Sequence, residues 1–559
     1  MNTHKMKIAS AVQMNGGKSN LNLDRRFLGT AKIGQILPIF HQECVPGDNF
    51  RVHIGSFARF LPLAVPSYVN LTYRTLSVFV PYHQVMDGAE SFFANQASFR
   101  RMDNSLPTFT LANLFAAFTY SSSPWSEAGS ESDYDFYSAG SYYKYNAKGW
   151  YVVKLLHSLG YRFNNNGSAV NRTFNALPLL SFCHAYNCYM AYSPDVNTSE
   201  LSNVLETIKR SPQTTLTNVM LYSLLGSILL TYEESFYSLA WRQPYYSQNT
   251  PSAESFVPDY DQMNKYVIGN SGGTVYDYHA GSHVDIGDGD TVNAAQIRLL
   301  LKFDDFFRRS NYAGSKDIEQ IYSRFGVKID DYKTRYPYFL NETGQNVQIG
   351  DVTSTADTSE TSPVGAYAGK AISSDDAAFD FDSHDYGMLF TFAWYAPKLE
   401  YYLGCDKEVL RLQPFDFYTP ELDEGFPSAI TRRQVDAAGL GAAVDSTFGY
   451  VPLYSEYLYA NSVIVGEFER RTGFDSWHFG RNFQLTASAQ SDSFIYMPCT
   501  GTPLERIFNV SDPTLVDVDS IYMDVHINCS AVRPMKDFVG KTRLGEGNLD
   551  VPQLGYQAN

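Results

Sequence analysis

The chain has 559 residues, 44% hydrophobic and 15% aromatic but only 18% charged, which gives ample apolar content for a large core. Its formal net charge of −16 and pI of about 5.1 exclude coating of nucleic acid by bulk attraction, so any DNA contact must be local. Tyrosine (41) and phenylalanine (38) are unusually abundant, a bias that favours strands and buried contacts between protein surfaces. A β-rich protein that packs against copies of itself fits this composition, although a carbohydrate-binding module or a glycosidase would share it.

In chain order, Met1–Ser10 carries no apolar run, so no secretory leader is expected. Residues 1–33 read as a basic N-terminal arm, with Lys5, Lys7, Lys18, Arg25, Arg26 and Lys32 against Asp24 alone. Such a cluster reads either as a solvated terminus or as a DNA-facing segment. From Gly34 the pattern changes to a strand start, with Pro38 at an edge or bulge. Pro46, Gly47 and Asp48 then supply turn chemistry, since proline fixes φ and glycine permits the positive φ of a tight turn. The run LTYRTLSVFVP at 71–81 is apolar on both faces and predicts a buried sandwich strand.

Helices are predicted where Val152, Leu155, Leu156 and Leu159, then Leu221, Leu224, Leu225 and Ile228, keep a helical stripe; Leu299, Phe303, Phe306 and Phe307 form a third. The apolar stretch at 219–230 is too short and too interrupted to span a bilayer, so no membrane insertion is expected. Residues 121–146 and 249–291, rich in Ser, Gly, Asp and Tyr, read as surface insertions. The clearest strand comes late: Ile521, Met523, Val525, Ile527 and Cys529 alternate with Tyr522, Asp524, His526, Asn528 and Ser530. Strands first, helices and loops in the middle, and strands again at the end fit one sandwich with expanded connections.

Motifs for chemistry fail one after another. Gly365–Ala371 is one residue short of a phosphate loop and has no hydroxyl for magnesium; residues 535–542 have Met535 where the first glycine belongs; Gly439 and Gly441 lack a third glycine. Cys183, His184 and Cys188 have no second ligand pair nearby, so buried or interfacial side chains are the better reading. Asp285, Asp288 and Asp290 do not keep EF-hand spacing and read as a plain turn. The six cysteines are scattered, as expected of reduced thiols, and no cofactor is implied.

Several segments, in order, resemble the major capsid protein of microviruses, small icosahedral single-stranded DNA bacteriophages, and within them the gokushovirus-like branch or related gut and environmental phages. They are GQILPIFHQECVPGDNF at 34–50, SVFVPYHQVMDGAESFF at 77–93 with Pro81, and NALPLLSFCHAYNCYM at 175–190 with Asn175 and Pro178. The diverged WRQPYYSQ at 241–248 follows, then a segment carrying Arg298, Phe325 and Gly326, and later Phe448, Gly449, Tyr450, Trp477, His478, Arg533 and Pro534. The resemblance implies a mainly β protein, a single eight-stranded antiparallel jelly roll with long helix- and loop-containing insertions over 34–559. It implies a structural subunit, not an enzyme, that assembles with itself into a T=1 shell around circular single-stranded DNA. Implied partners are packaged DNA, a small basic DNA-binding protein, vertex or pilot proteins and a host-cell receptor. By position, 249–291 is the candidate for a threefold protrusion. The expected location is the virion, assembled in the bacterial cytoplasm. The competing reading is a receptor-binding or carbohydrate-binding β-sandwich protein that uses its aromatic loops.

Overall fold

A computed structural model describes residues 18–65, 67–87, 89–93, 106–117, 125–127, 136–138, 141–145, 147–162, 173–189, 198–210, 215–229, 336–350, 370–397, 400, 402–412, 414–420, 427–435, 447–458, 463–469, 474–480, 506–508 and 519–534. The third predicted helical stripe, the 249–291 insertion, Arg298, Phe325 and Gly326 lie outside the described residues.

Ten strands build the sandwich: β1 (Ser19–Asn22), β2 (Arg25–Ala31), β3 (Leu37–Cys44), β4 (Asn49–Phe60), β5 (Leu71–Pro81), β6 (Tyr338–Asn346), β7 (Gln348–Gly350), β8 (Lys370–Asp382), β9 (Gly387–Pro397) and β10 (Ile521–Arg533). One sheet runs β2-β10-β4-β8, with β1 also on β10 and β7 beyond β8; the other runs β3-β9-β5-β6. All pairings within these two sheets are antiparallel. Taking the eight longer strands in sequence, each sheet draws alternately on early and late ones, which is the strand order of a jelly roll.

Sequence dictates the two sheets differently. In β4, Phe50, Val52, Ile54, Ser56, Ala58 and Phe60 are buried and alternate with exposed or half-exposed residues. β10 repeats the pattern with Ile521, Met523, Val525, Ile527, Cys529 and Ala531 buried, as the sequence predicts. One face of this sheet therefore meets the core and the other meets water. The second sheet has no such period, because both its faces are covered. Nearly every residue of β9 is buried, and so is the C-terminal half of β5.

Its inner face reaches the first sheet through Phe79 on Phe381 (ring centroids 4.7 Å apart) and Tyr395 on Phe60 (5.2 Å). Helices cover its outer face. In α1 (Ala147–Ser158), Tyr151 donates from its hydroxyl to the Ile36 carbonyl at 2.6 Å; in α2 (Leu177–Tyr189), Phe182 packs edge-on against Phe392 at 5.7 Å. α1 and α3 (Asn218–Leu229) contain the two helical stripes read from the sequence.

Part of the segment expected as an N-terminal arm belongs to the sheet. β2 pairs with β10 from Ile521↔Ala31 to Ile527↔Arg25, and β1 continues along the same edge from Asn22↔Ser530 to Ser19↔Arg533. The physical reason is the β10 backbone, which would otherwise present an open ladder to solvent. Pro38 lies on the edge strand β3, where the register with β9 shifts between Thr391 and Phe392, as expected for a proline at an edge or bulge.

Candidate assembly and nucleic-acid surfaces

The residues that carry the family motifs sit where the chain turns, caps or crosses. Gly47 takes φ +91, Asp48 donates its backbone N–H to the Val45 carbonyl (3.0 Å), and its Oδ2 accepts from the Val45 N–H (2.8 Å). Gly47 also donates to the Ser383 carbonyl at 2.8 Å, joining the β3–β4 turn to the β8–β9 turn. Pro81 ends β5 with φ −65, after which Tyr82 donates to the Tyr386 carbonyl at 2.9 Å. Asn175 accepts on Oδ1 from the Leu177 N–H at 3.0 Å, and Pro178 occupies the first turn of α2, where its missing N–H is no loss.

Later motifs behave alike. Gly449 pairs with Ile430 in a hairpin of Thr447–Pro452 with Pro427–Thr431, while Phe448 is buried and Tyr450 is half-buried beside it. Trp477 accepts on its carbonyl from the Tyr68 N–H (2.8 Å). His478 accepts on Nδ1 from the Gly480 N–H (2.9 Å), which leaves Nε2 to donate to the Phe468 carbonyl at 2.9 Å. Arg533 and Pro534 close the far end of the sandwich, with Arg533 beside Asp48. All of these interactions fix backbone paths.

Of the six basic residues expected to face DNA, the four among the described residues do not share one face. Lys5 and Lys7 lie outside the described residues. Lys18 is exposed. Arg25 and Arg26 point to opposite faces of β2. Arg26 forms a two-pronged pair with Asp524 (2.6 Å at each contact), which raises the arginine's pKa and lowers the carboxylate's. Arg25 turns inward, donates to the His41 carbonyl and lies 4.5 Å over the Phe40 ring; burial lowers its pKa. Lys32 is buried, because the alternation of β2 ends in the core at Ala31.

Composition favours aromatic contact surfaces, and the described residues include a group of exposed aromatic and aliphatic side chains that no motif marked. Between 402 and 465, Val409, Leu412, Phe417, Tyr418, Tyr457, Leu458, Val463 and Val465 are all exposed, with Leu412 88% and Leu458 75% accessible. Beneath them Glu456 bridges Lys407 and Arg411 (3.4 Å to each), and the Arg411 guanidinium lies 4.4 Å over Tyr457. Phe417, Tyr418 and Tyr457 lie together there, with the Tyr418 and Tyr457 ring centroids 6.0 Å apart and the Arg411 guanidinium 5.7 Å over Phe417.

No three His, Cys, Asp or Glu side chains converge on a metal position among the described residues. Cys183 points into the core, where burial raises its thiol pKa to about 12, whereas Cys188 and His184 lie 4.0 Å apart on successive turns of the same helix. No helix among the described residues is long and apolar enough to cross a membrane.

A family model described as "Capsid protein (F protein)" matches residues 10–133 and 142–539, nearly the whole chain. The chain belongs to this capsid protein family. It is similar to capsid protein VP1 of Chlamydia phage 1, with 26% identity over 264 residues, 45% of this chain and 43% of the relative. It is also similar to capsid protein VP1 of Bdellovibrio phage phiMH2K, with 25% identity over 265 residues, 46% of this chain and 48% of the relative. The aligned stretch thus spans less than half the length of each relative.

Proposed function

We propose that this capsid-family chain is the structural subunit, with no catalytic role, of a T=1 icosahedral bacteriophage shell enclosing circular single-stranded DNA. The observation that supports this reading is the group of exposed apolar side chains around Tyr457, with Leu412 88% and Leu458 75% accessible, on a chain with the strand order of a jelly roll. Lone surface hydrophobics are ordinary, but a concentration of this size marks a protein contact, and in a self-assembling subunit its occupant is a second copy. Many such contacts of modest strength close a stable particle while allowing errors to be corrected.

In this proposal residues 34–559, together with β1 and β2, form one jelly-roll unit; 121–146, which is not a plain loop but carries a small antiparallel sheet of Trp125–Glu127, Ser141–Tyr145 and Phe136–Ser138, is a surface insertion, and 249–291 is the threefold protrusion. A net charge of −16 leaves packed phosphates to be neutralised by polyvalent cations or by a small basic DNA-binding protein. Vertex or pilot proteins and a host-cell receptor complete the partners, with assembly in the bacterial cytoplasm and the virion as the final location.

The test is negative-stain microscopy of the purified chain beside its Leu458→Asp variant. Uniform small icosahedral particles, or pentamers, from the parent and folded single subunits from the variant are expected. A discrete trimer that binds carbohydrate, or normal particles from Leu458→Asp, would overturn the proposal.

A further inference from the structure

The row of β8 that faces the second sheet begins with polar residues: Ser373 and Asp375 precede Ala377 and Phe379, and all four are buried. Asp375 has Ser56 of β4 as its register partner, and the Ser56 hydroxyl donates to the Asp375 carbonyl at 3.4 Å. From the opposite sheet, Thr343 of β6 donates its hydroxyl to Asp375 Oδ2 at 3.0 Å and accepts from the Thr75 hydroxyl of β5 at 2.6 Å. A carboxylate only accepts, so the protons of this short chain all run towards Asp375.

Two tyrosines of the second sheet meet this group. Tyr73 of β5 and Tyr395 of β9 are register partners, both buried, with ring centroids 4.9 Å apart. The Tyr73 hydroxyl stands beside Ser56 and that of Tyr395 beside Ser373, and both feel the Asp375 charge; burial above all raises their pKa values, so both stay protonated. Asp375 Oδ1, the Tyr73 hydroxyl and the Ser373 hydroxyl make no hydrogen bond within the protein, although their residues are only 6%, 0% and 3% exposed. Buried polar atoms are normally paired, and three of them in one inter-sheet cluster mark the position of a group they share.

We propose that this cluster is a monovalent-cation site between the two sheets, with Asp375 Oδ1 as its charged ligand and the Tyr73 and Ser373 hydroxyls as neutral ones. The donor set decides the class of ion. Every atom is a hard oxygen, with no imidazole or thiolate, which suits an alkali or alkaline-earth ion and not zinc or copper. One carboxylate matches one positive charge, whereas calcium sites gather several carboxylates and carbonyls. A water molecule could bridge the same three atoms but would leave the Asp375 charge uncompensated inside the sandwich. Bound there, the ion ties β8 of the first sheet to β5 of the second, whether or not the chain closes a shell.

The experiment follows urea unfolding of the purified full-length chain in sodium chloride and in N-methyl-D-glucamine chloride at one ionic strength, so that screening is equal. Sodium at about a hundredfold its dissociation constant should favour the folded chain about a hundredfold, read as a higher urea midpoint. Asp375→Asn should lose the difference between the two salts, and Thr343→Val should reduce it. Asp376→Asn, one residue along but on the open sheet face beside His53, should keep it in full. Equal midpoints of the parent chain in the two salts would overturn the site. So would a sodium effect of the same size in Asp375→Asn. Should Asp375→Asn not fold, crystals of the parent chain soaked in a thallium(I) salt read the site directly. An anomalous peak between Asp375 and Tyr73 is expected there, and a water molecule alone would overturn the proposal.

Discussion

Arg533, at the end of β10, lies against Asp48 in the β3–β4 turn, Nη2 to Oδ2 3.4 Å, with side chains only 13% and 0% exposed. The same Nη2 donates to the Glu43 carbonyl at 2.6 Å, and the guanidinium stands 5.3 Å over the Phe50 ring. Two family motifs far apart in sequence thus meet at one corner of the sandwich. Removing the arginine would strand a carboxylate in the protein interior. Arg533→Ala is therefore expected to cost about 3 kcal/mol, read as a lower urea midpoint, with Arg533→Lys recovering part of the loss. An unchanged midpoint in Arg533→Ala would show that the corner does not depend on the pair.

His41 makes stability depend on pH in a known direction. Its folded pKa of about 4 lies below the ordinary 6.5, so the unfolded chain takes up the proton first. The contribution is fully present above about pH 6.5 and is lost as pH falls towards 4. A loss of up to about 3 kcal/mol over that window is expected. His41→Gln should flatten the fall in urea midpoint between pH 7 and pH 5. An identical fall in both proteins would remove His41 as its cause.

Gly387 opens β9 where another backbone leaves no room for a side chain. A Cβ there would meet the Val80 carbonyl oxygen at 2.4 Å and the Phe79 ring at 2.7 Å. Gly387→Ala should therefore sharply reduce soluble yield or thermal stability. Gly55, whose nearest would-be neighbour is Asp376 at 3.8 Å, should accept alanine with little change. Equal behaviour of the two variants would contradict this packing.

Shortening the N-terminus should have two distinct outcomes. Deletion of residues 1–17 spares both strands on the β10 edge and should leave a folded chain. Deletion of 1–31 removes β1 and β2 and exposes the β10 ladder, so aggregation is expected. Light scattering of the two proteins separates them, and a well-behaved 32–559 chain would show that the edge tolerates exposure.

What could be read from sequence followed from how each strand meets water. β10 announces itself because one face is dry and one is wet, and α1 and α3 do so through their leucine stripes. β4 alternates just as cleanly from Phe50 to Phe60, directly after the Pro-Gly-Asp turn. β8 was harder, since its inward row mixes Ala377 and Phe379 with Ser373 and Asp375. β2 was hidden by its basic residues, which suggested an arm when Arg25 and Phe27 in fact turn inward from an edge strand. The group around Tyr457 leaves no periodic trace, because Arg411, Phe417 and Tyr457 meet through ring contacts and the Glu456 bridge and not through a repeating strand or helix.

β10 is bonded on one side to β4 and on the other to β1 and β2. A ribosome makes residues 521–533 long after it has made those neighbours. Until they emerge, the early strands wait on either side of a vacant slot, and the first sheet cannot close. The Arg533 contact with Asp48 then arrives with the same strand. Synthesis itself thus orders the fold: a nascent chain lacks the finished sandwich until β10 has been made.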